Sequence, residues 1–226
     1  MKIFRALVIV LFSSLTVAAQ QTETRETGAF SGVKAAEGVD VYLKKGDMEQ
    51  VKVEVTGTQT SNVITEVSGS YLKIHMKDVR ERNVSAKVYV TYVSLDKVSA
   101  SSAGSIFSEG TLQARDMEIS ASSAGSIDLT VEAETLSVSS STAGDVELKG
   151  KVRSISADAS TAGEIDAYDL QAEEVDAEAS TGGSVKINAQ ESLTARASSG
   201  GSIRYRGSPD RSDINSSTGG AVRKSN

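Results

Sequence analysis

The chain has 226 residues, a formal net charge of −6, no cysteine and no tryptophan. That length suits one large all-β domain or two small ones, and the acidic balance argues against a nucleic-acid partner, whose footprint would be basic. Without thiols there is no disulfide framework, no thiol nucleophile, no thiolate-bound zinc or iron–sulfur site and no lipid-anchored cysteine.

Met1 to Ala19 reads as a secretory signal. Lys2 and Arg5 form its charged region and Ala6 to Val17 carries its apolar run. Val17-Ala18-Ala19 supplies the small residues before a cut between Ala19 and Gln20. The apolar run falls short of the ~20 residues of a transmembrane helix. Cleavage leaves 22 basic against 30 acidic residues, a mature charge of −8. No second apolar span follows, so the mature chain is expected to be exported without spanning a membrane, to the periplasm or the cell surface.

Residues 20–29 are polar and are expected to be a flexible N-terminus. From Phe30 the pattern has period two: Val39, Val41 and Leu43, then Val51, Val53 and Val55, then Leu72, Ile74 and Met76, then Val88 and Val90. These predict half-buried strands, with Gly, Asn and Asp at the turns between them. No helical stripe appears after the signal. The expected division is irregular N-terminal strands over 30–93 and regular repeats over 94–226, within a single domain 30–226.

The repeat is announced by Ser101-Ser102-Ala103-Gly104-Ser105-Ile106, which returns six times with one Ser and one Gly fixed. Its glycines are Gly104, Gly125, Gly144, Gly163, Gly183, Gly201 and Gly220, at steps of 21, 19, 19, 20, 18 and 19 residues. Six residues before each glycine stand Val98, Ile119, Val138, Ala157, Ala177, Ala195 and Ile214. Small residues stand four before it, and two after it come Ile106, Ile127, Val146, Ile165, Val185, Ile203 and Val222. A third row (Leu112, Val131, Val152, Leu170, Leu193) is expected to close the circuit. Such a period marks stacked repeats. The expectation is an all-β, parallel β-solenoid of about seven 19-residue rungs, preceded by further β strands. At ~4.8 Å per rung it would run roughly 30 Å. On this reading the glycine supplies the positive φ or tight bend of each corner, and the stacked Ser hydroxyls bond along the ladder or to corner amides.

Several of these residues together resemble the head GIN domain family, the auto-transporter adhesin head domains of Bacteroidetes-type bacteria. They are the strand Gly38 to Leu43, the segment Gly69 to Ile74, the recurring Ser-x-x-Gly-x-Ile/Val corners, and the closing Ile203 to Pro209. The resemblance spans roughly Phe30 to Arg223. It implies an exported, β-solenoid-like protein of adhesion type and names no catalytic residue. Two features depart from the family. Ser or Thr stands two before each fixed glycine (Ser102, Ser123, Thr142, Thr161, Thr181, Ser199, Thr218), where many relatives carry glycine. No alternating strands of a translocator barrel precede Asn226.

Chemistry-bearing residues are sparse. The one histidine, His75, alternates with Ile74 and Met76 and reads as an exposed strand residue. Serines sit in the corners, with no nucleophile elbow and no phosphate loop opening a helix. The place to look is the outward ladder three residues after each fixed glycine: Phe107, Asp128, Glu147, Asp166, Lys186, Arg204 and Arg223, with Asp145 and Glu164 beside it. Like charges stacked at rung spacing are unfavourable. Asp128, Glu147 and Asp166 therefore call either for a bound divalent cation or for a solvated, salt-screened edge offset by Lys186; the second reading is preferred, with no resident cofactor. Ten aromatics (six Tyr, four Phe) would have to line any sugar groove.

Three functions follow. The first is an exported, non-enzymatic adhesion or binding module, presenting its repeat surface to a glycan or an envelope or surface protein. The alternative is a periplasmic structural or envelope-maintenance protein. A polysaccharide-active β-helix enzyme comes last, because a carboxylate row alone is not an active site. Arg223 and Lys224 at the end rung predict a monomer or weak dimer.

Overall fold

A computed structural model describes residues 20–77 and 83–225. Ala19 and the rest of the predicted signal, and Asn226, lie outside the described residues. No helix among the described residues is long and apolar enough to cross a membrane.

The regular region is a parallel β-solenoid. Its long strands are β9 (Ser105–Ala121), β10 (Ser126–Ser140), β11 (Asp145–Ala159), β12 (Glu164–Ala179) and β13 (Ser184–Ala197). They pair in sequence order, each parallel to the next. Burial along β10 shows how a rung closes. Ile127, Leu129 and Val131 point inward; Glu134 and Thr135 then both point outward; Leu136, Val138 and Ser140 point inward again. Two consecutive outward residues reverse the inward parity, so the strand turns there and divides into a front arm and a back arm. The rung after β13 is split into β14 (Ser202–Gly207) in front and β15 (Arg211–Ser216) behind, and β16 (Ala221–Lys224) follows in front.

The rows read from the sequence are in register. Val98, Ile119, Val138, Ala157, Ala177, Ala195 and Ile214 form one ladder along the back arm. Ile106 to Val222 form its counterpart along the front. Except for Ile214 and Val222 at the end of the stack, all are buried to within 2 % of full exclusion. Each Val or Ile so buried contributes about 1.5–3 kcal/mol, which is why a chain without disulfides holds this shape.

The expected third row is not one row. Leu112 pairs with Val131, Val131 with Gly150 and Gly150 with Leu170; Val152 lies opposite Ala133 and Ala172; Leu193 belongs with Met117, Leu136, Ile155 and Val175. Register shifts after Asp128, Glu147 and Ala167 displace the count from rung to rung. Unequal repeat lengths are absorbed here, away from the corners.

The corners correct a second expectation. The residues with positive φ are the two before each fixed glycine, such as Thr142 (φ 49°) and Ala143 (φ 58°), while the fixed glycines are not among them. The Gly144 amide donates to Ser141 O at 2.9 Å, closing a four-residue turn of type I′ geometry. The glycine is fixed by a neighbour instead. A Cβ on Gly144 would stand 2.6 Å from Ala121 O and 2.7 Å from Ala121 C of the preceding rung. Rungs are joined at the corners by backbone bonds such as Ser141 N to Ala121 O (3.0 Å) and Ala124 N to Thr142 O (3.1 Å). The corner hydroxyls make no ladder of their own among the described residues. Only Ser140, outside the turn, donates from Oγ, to Gly144 O at 2.7 Å.

The N-terminal strands are β1 (Gln21–Glu26), β2 (Gly32–Ala35), β3 (Asp40–Lys45), β4 (Gln50–Thr56), β5 (Val63–Ser68), β6 (Tyr71–Met76), β7 (Ser85–Tyr92) and β8 (Lys97–Ala100). They extend both walls out of sequence order. In front the order is β1-β4-β7-β3-β9, and behind it β5 joins β6, then β2, β8 and β9. Residues 20–29, expected to fray, contain β1, antiparallel to β4. Arg25 locks this edge strand over the end of the core. Its guanidinium donates to Val63 O (2.7 Å), Thr60 O (2.8 Å), Thr65 Oγ1 (3.0 Å) and Glu23 Oε2 (2.8 Å). At the other end β15 is exposed throughout, and Ile214 is 45 % exposed.

Candidate binding face

The front wall is eleven strands wide, and one outward column crosses all of it. In register order it reads Thr24, Lys52, Tyr89, Tyr42, Phe107, Asp128, Glu147, Asp166, Lys186, Arg204 and Arg223. The predicted ladder is thus brought together in full, and two further aromatic rungs, Tyr89 and Tyr42, precede its Phe107. Tyr42 and Tyr89 were hidden from the sequence because their strands carry no Ser-x-x-Gly corner and stack in permuted order. Period-two alternation marks both as outward, but cannot say which rung they join.

The aromatic segment is a stack along the column. Tyr42 lies 5.2 Å from Tyr89 and 5.3 Å from Phe107, with interplanar angles of 20° and 24°, and Lys52 Nζ covers the far face of Tyr89 at 5.5 Å. Stacked rings hide their faces in one another. Their edges face solvent, so this segment stiffens the wall and does not offer a sugar platform.

The acidic segment is laced by two lysines. Lys149 Nζ reaches Glu147 at 2.9 Å and Asp128 at 3.4 Å; Lys186 Nζ reaches Glu164 and Asp166, each at 2.9 Å. Hydrogen bonds to Glu164 and then Asp166 hold the Lys186 ammonium well above its usual pKa, and the bond to Glu147 raises Lys149. Asp145 is pushed up, first by desolvation against its crowded neighbours and then by Glu164 and Glu147. The lysines stand where a divalent cation would have to sit. Among the described residues no cluster of three or more Asp, Glu or His side chains is placed to hold a metal. Lys149 escaped the sequence reading because it lies one outward column over from the ladder.

His75 is a half-exposed strand residue, 3.4 Å from Glu37 Oε2. Behind the ladder's far edge a shallow groove of about 440 Å³ runs along the second corner, between Gln113, Glu132 and Lys151 on one side and Glu134, Arg153 and Glu173 on the other. Its charged rim and open form hold no convergent acid–base pair.

A family model described as "Putative auto-transporter adhesin, head GIN domain" matches residues 29–209. The chain belongs to this family. Its adhesin description supports an adhesion-like role and an exported protein, and names no enzyme activity. Solved structures share this fold. A "putative adhesin" from Bacteroides fragilis NCTC 9343 is 22% identical, with a TM-score of 0.82 over 92% of this chain and 98% of its own. A "putative adhesin" from Parabacteroides merdae ATCC 43184 is 16% identical, with a TM-score of 0.71 over 92% and 96%. A "putative lipid binding protein" from Parabacteroides distasonis ATCC 8503 is 19% identical, with a TM-score of 0.68 over 92% and 97%. At these identities the likeness is one of fold. No curated protein matches the chain.

Proposed function

We propose that the mature chain, residues 20–226, is an exported, non-enzymatic binding module of adhesion type that presents its front face to a glycan or protein ligand at the cell surface. The observation that carries this reading is the eleven-stranded front wall, whose outward column is divided into aromatic, acidic and basic segments. A wide, segregated surface of this kind suits extended recognition, as in other repeat proteins. Head GIN membership supports it. The carboxylates that a polysaccharide-active enzyme would need are engaged by Lys149 and Lys186. A general acid needs a carboxyl free to exchange its proton beside the scissile bond.

The test is retention on the immobilised mature protein, screened against a glycan array and a cell-surface protein extract. Saturable, competable retention of a defined ligand is expected. A protein that retains nothing from either source, while remaining folded, overturns the reading.

A further inference from the structure

Charge is divided along the solenoid. Residues 105–185 carry sixteen carboxylates against four cations, a net −12, whereas residues 186–226 carry seven cations against three carboxylates, a net +4. The basic end is concentrated on the front face. Arg204 on β14 and Arg223 on β16 stand opposite each other in register, one rung of about 4.8 Å apart, both exposed. Among the described residues neither has a carboxylate partner. Two guanidinium groups so placed repel each other unless an anion lies between them.

A third cation is held beside them. The Arg206 guanidinium lies 4.1 Å from the centre of the Tyr168 ring. That ring is fixed at both ends, its hydroxyl 2.6 Å from Ser225 Oγ and its backbone carbonyl accepting from Asn188 Nδ2 at 3.3 Å. Tyr168 therefore spans the rungs of Asn188 and Arg206 to reach Ser225, and it sets Arg206 against an aromatic face as a cation–π contact. A positioned guanidinium loses less side-chain freedom when it takes an anion.

We propose that Arg204, Arg223 and Arg206 form the anion-binding subsite for a glycan: a carboxylate, sulfate or phosphate group carried on an otherwise sparsely charged sugar chain. This rests on the binding-module reading and gives it a location and a chemistry. Two forks one rung apart can each donate a pair of bonds to such a group. The acidic rungs set the limit. Lys186 is already taken by Glu164 and Asp166, and Glu147 and Asp128 continue the column beyond them. A uniformly dense polyanion or an anionic bilayer, wide enough to cover the face, would press its charge against those rungs. An isolated anionic group meets only the arginines.

The probes are hyaluronan, with a carboxylate on alternate sugars, chondroitin sulfate, neutral dextran, and phosphatidylcholine vesicles containing phosphatidylserine. Binding of the mature protein is read by calorimetry at low and physiological salt. Hyaluronan binds at least as tightly as the more densely charged chondroitin sulfate, dextran does not bind, and affinity falls with salt. Both carry a carboxylate on alternate sugars, so chondroitin sulfate tests the effect of added charge, and tighter binding of it than of hyaluronan would refute the limit set by the acidic rungs. The double variant R204A/R223A loses about tenfold or more in affinity, and R206A loses less. Both arginines of the double variant are exposed, so its melting temperature stays at that of the parent. The inference is overturned if dextran binds as well as the acidic glycans, if neither acidic glycan binds, if vesicles bind and glycans do not, or if R204A/R223A binds unchanged. A glycan bound equally by parent and double variant removes this subsite and leaves the binding module standing; only a protein that retains no ligand of any kind removes both.

Discussion

Two substitutions in one corner should move stability in opposite directions. In the turn Ser141–Gly144, Thr142 has a φ of 49° and Gly144 does not have a positive φ. Gly144→Ala adds a methyl 2.6 Å from Ala121 O and 3.0 Å from Ser122 N, where ordinary contacts lie at about 3.5 Å. Opening the rungs by about 0.8–0.9 Å to reach that contact distance would stretch the bonds beside it, such as Asp145 N to Gly125 O at 2.9 Å, beyond useful length. Overpacking costs about 1–3 kcal/mol and each weakened bond about 1 kcal/mol more, so the variant loses about 3 kcal/mol. For a domain of this size that is a fall of about 6–12 °C in Tm. Thr142→Gly relieves a left-handed conformation costing about 1–2 kcal/mol. The freer unfolded chain offsets about 0.4–1 kcal/mol of this. The net gain of about 0.5–1 kcal/mol raises Tm by about 1–4 °C. Thermal melts followed by far-UV circular dichroism read both. A parent-like melt for Gly144→Ala together with a lower one for Thr142→Gly would refute the contact argument.

Two carboxyls on different strands make stability respond to acid in opposite senses. The Arg25 guanidinium beside it holds the Glu23 carboxyl down to about 2, against about 4.3 unfolded. Its stabilisation is therefore complete above the unfolded value and fades as pH falls towards the folded one. Glu23→Gln should destabilise at pH 7, and its gap to the parent should close during acid titration. Asp145 shifts the other way, so the folded state holds its proton more tightly than the unfolded state, and stability falls as pH rises through the carboxylate range. Asp145→Asn should be more stable than the parent at pH 7, with an advantage that vanishes in acid. Because Lys149 and Lys186 occupy the acidic segment, millimolar calcium and a chelator should both leave Tm unchanged. A rise with calcium would mean that the lysines yield to a cation.

Sequence periodicity reached the fold because the corners keep count. Ile106 to Val222 and Val98 to Ile214 are read correctly by counting from each glycine, since the turn and the residues beside it never change length. The row through Leu112 failed because bulges after Asp128 and Glu147 lie between it and the corner that served as origin. The role of the glycine was misjudged for a related reason. A clash with the carbonyl of the rung below is a contact across 23 residues for Gly144 and Ala121, and turn preference alone points to φ. Strand β1 looked disordered because its inward positions, Glu23 and Arg25, are polar; they bond to the edge of the core instead of entering it. The candidate face was half legible. Asp128, Glu147, Asp166, Lys186 and Arg204 were placed on one column, yet the ring of Tyr168 beneath Arg206 sits beside a register shift that no spacing rule predicts.

The central claim is that this front face works outside the cell. Intact cells producing the protein should be treated with a membrane-impermeant amine-reactive label and external protease, before and after the outer membrane is opened. The account predicts labelling and cleavage before opening. Protection until the membrane is breached would contradict it and point to a structural role in the periplasm.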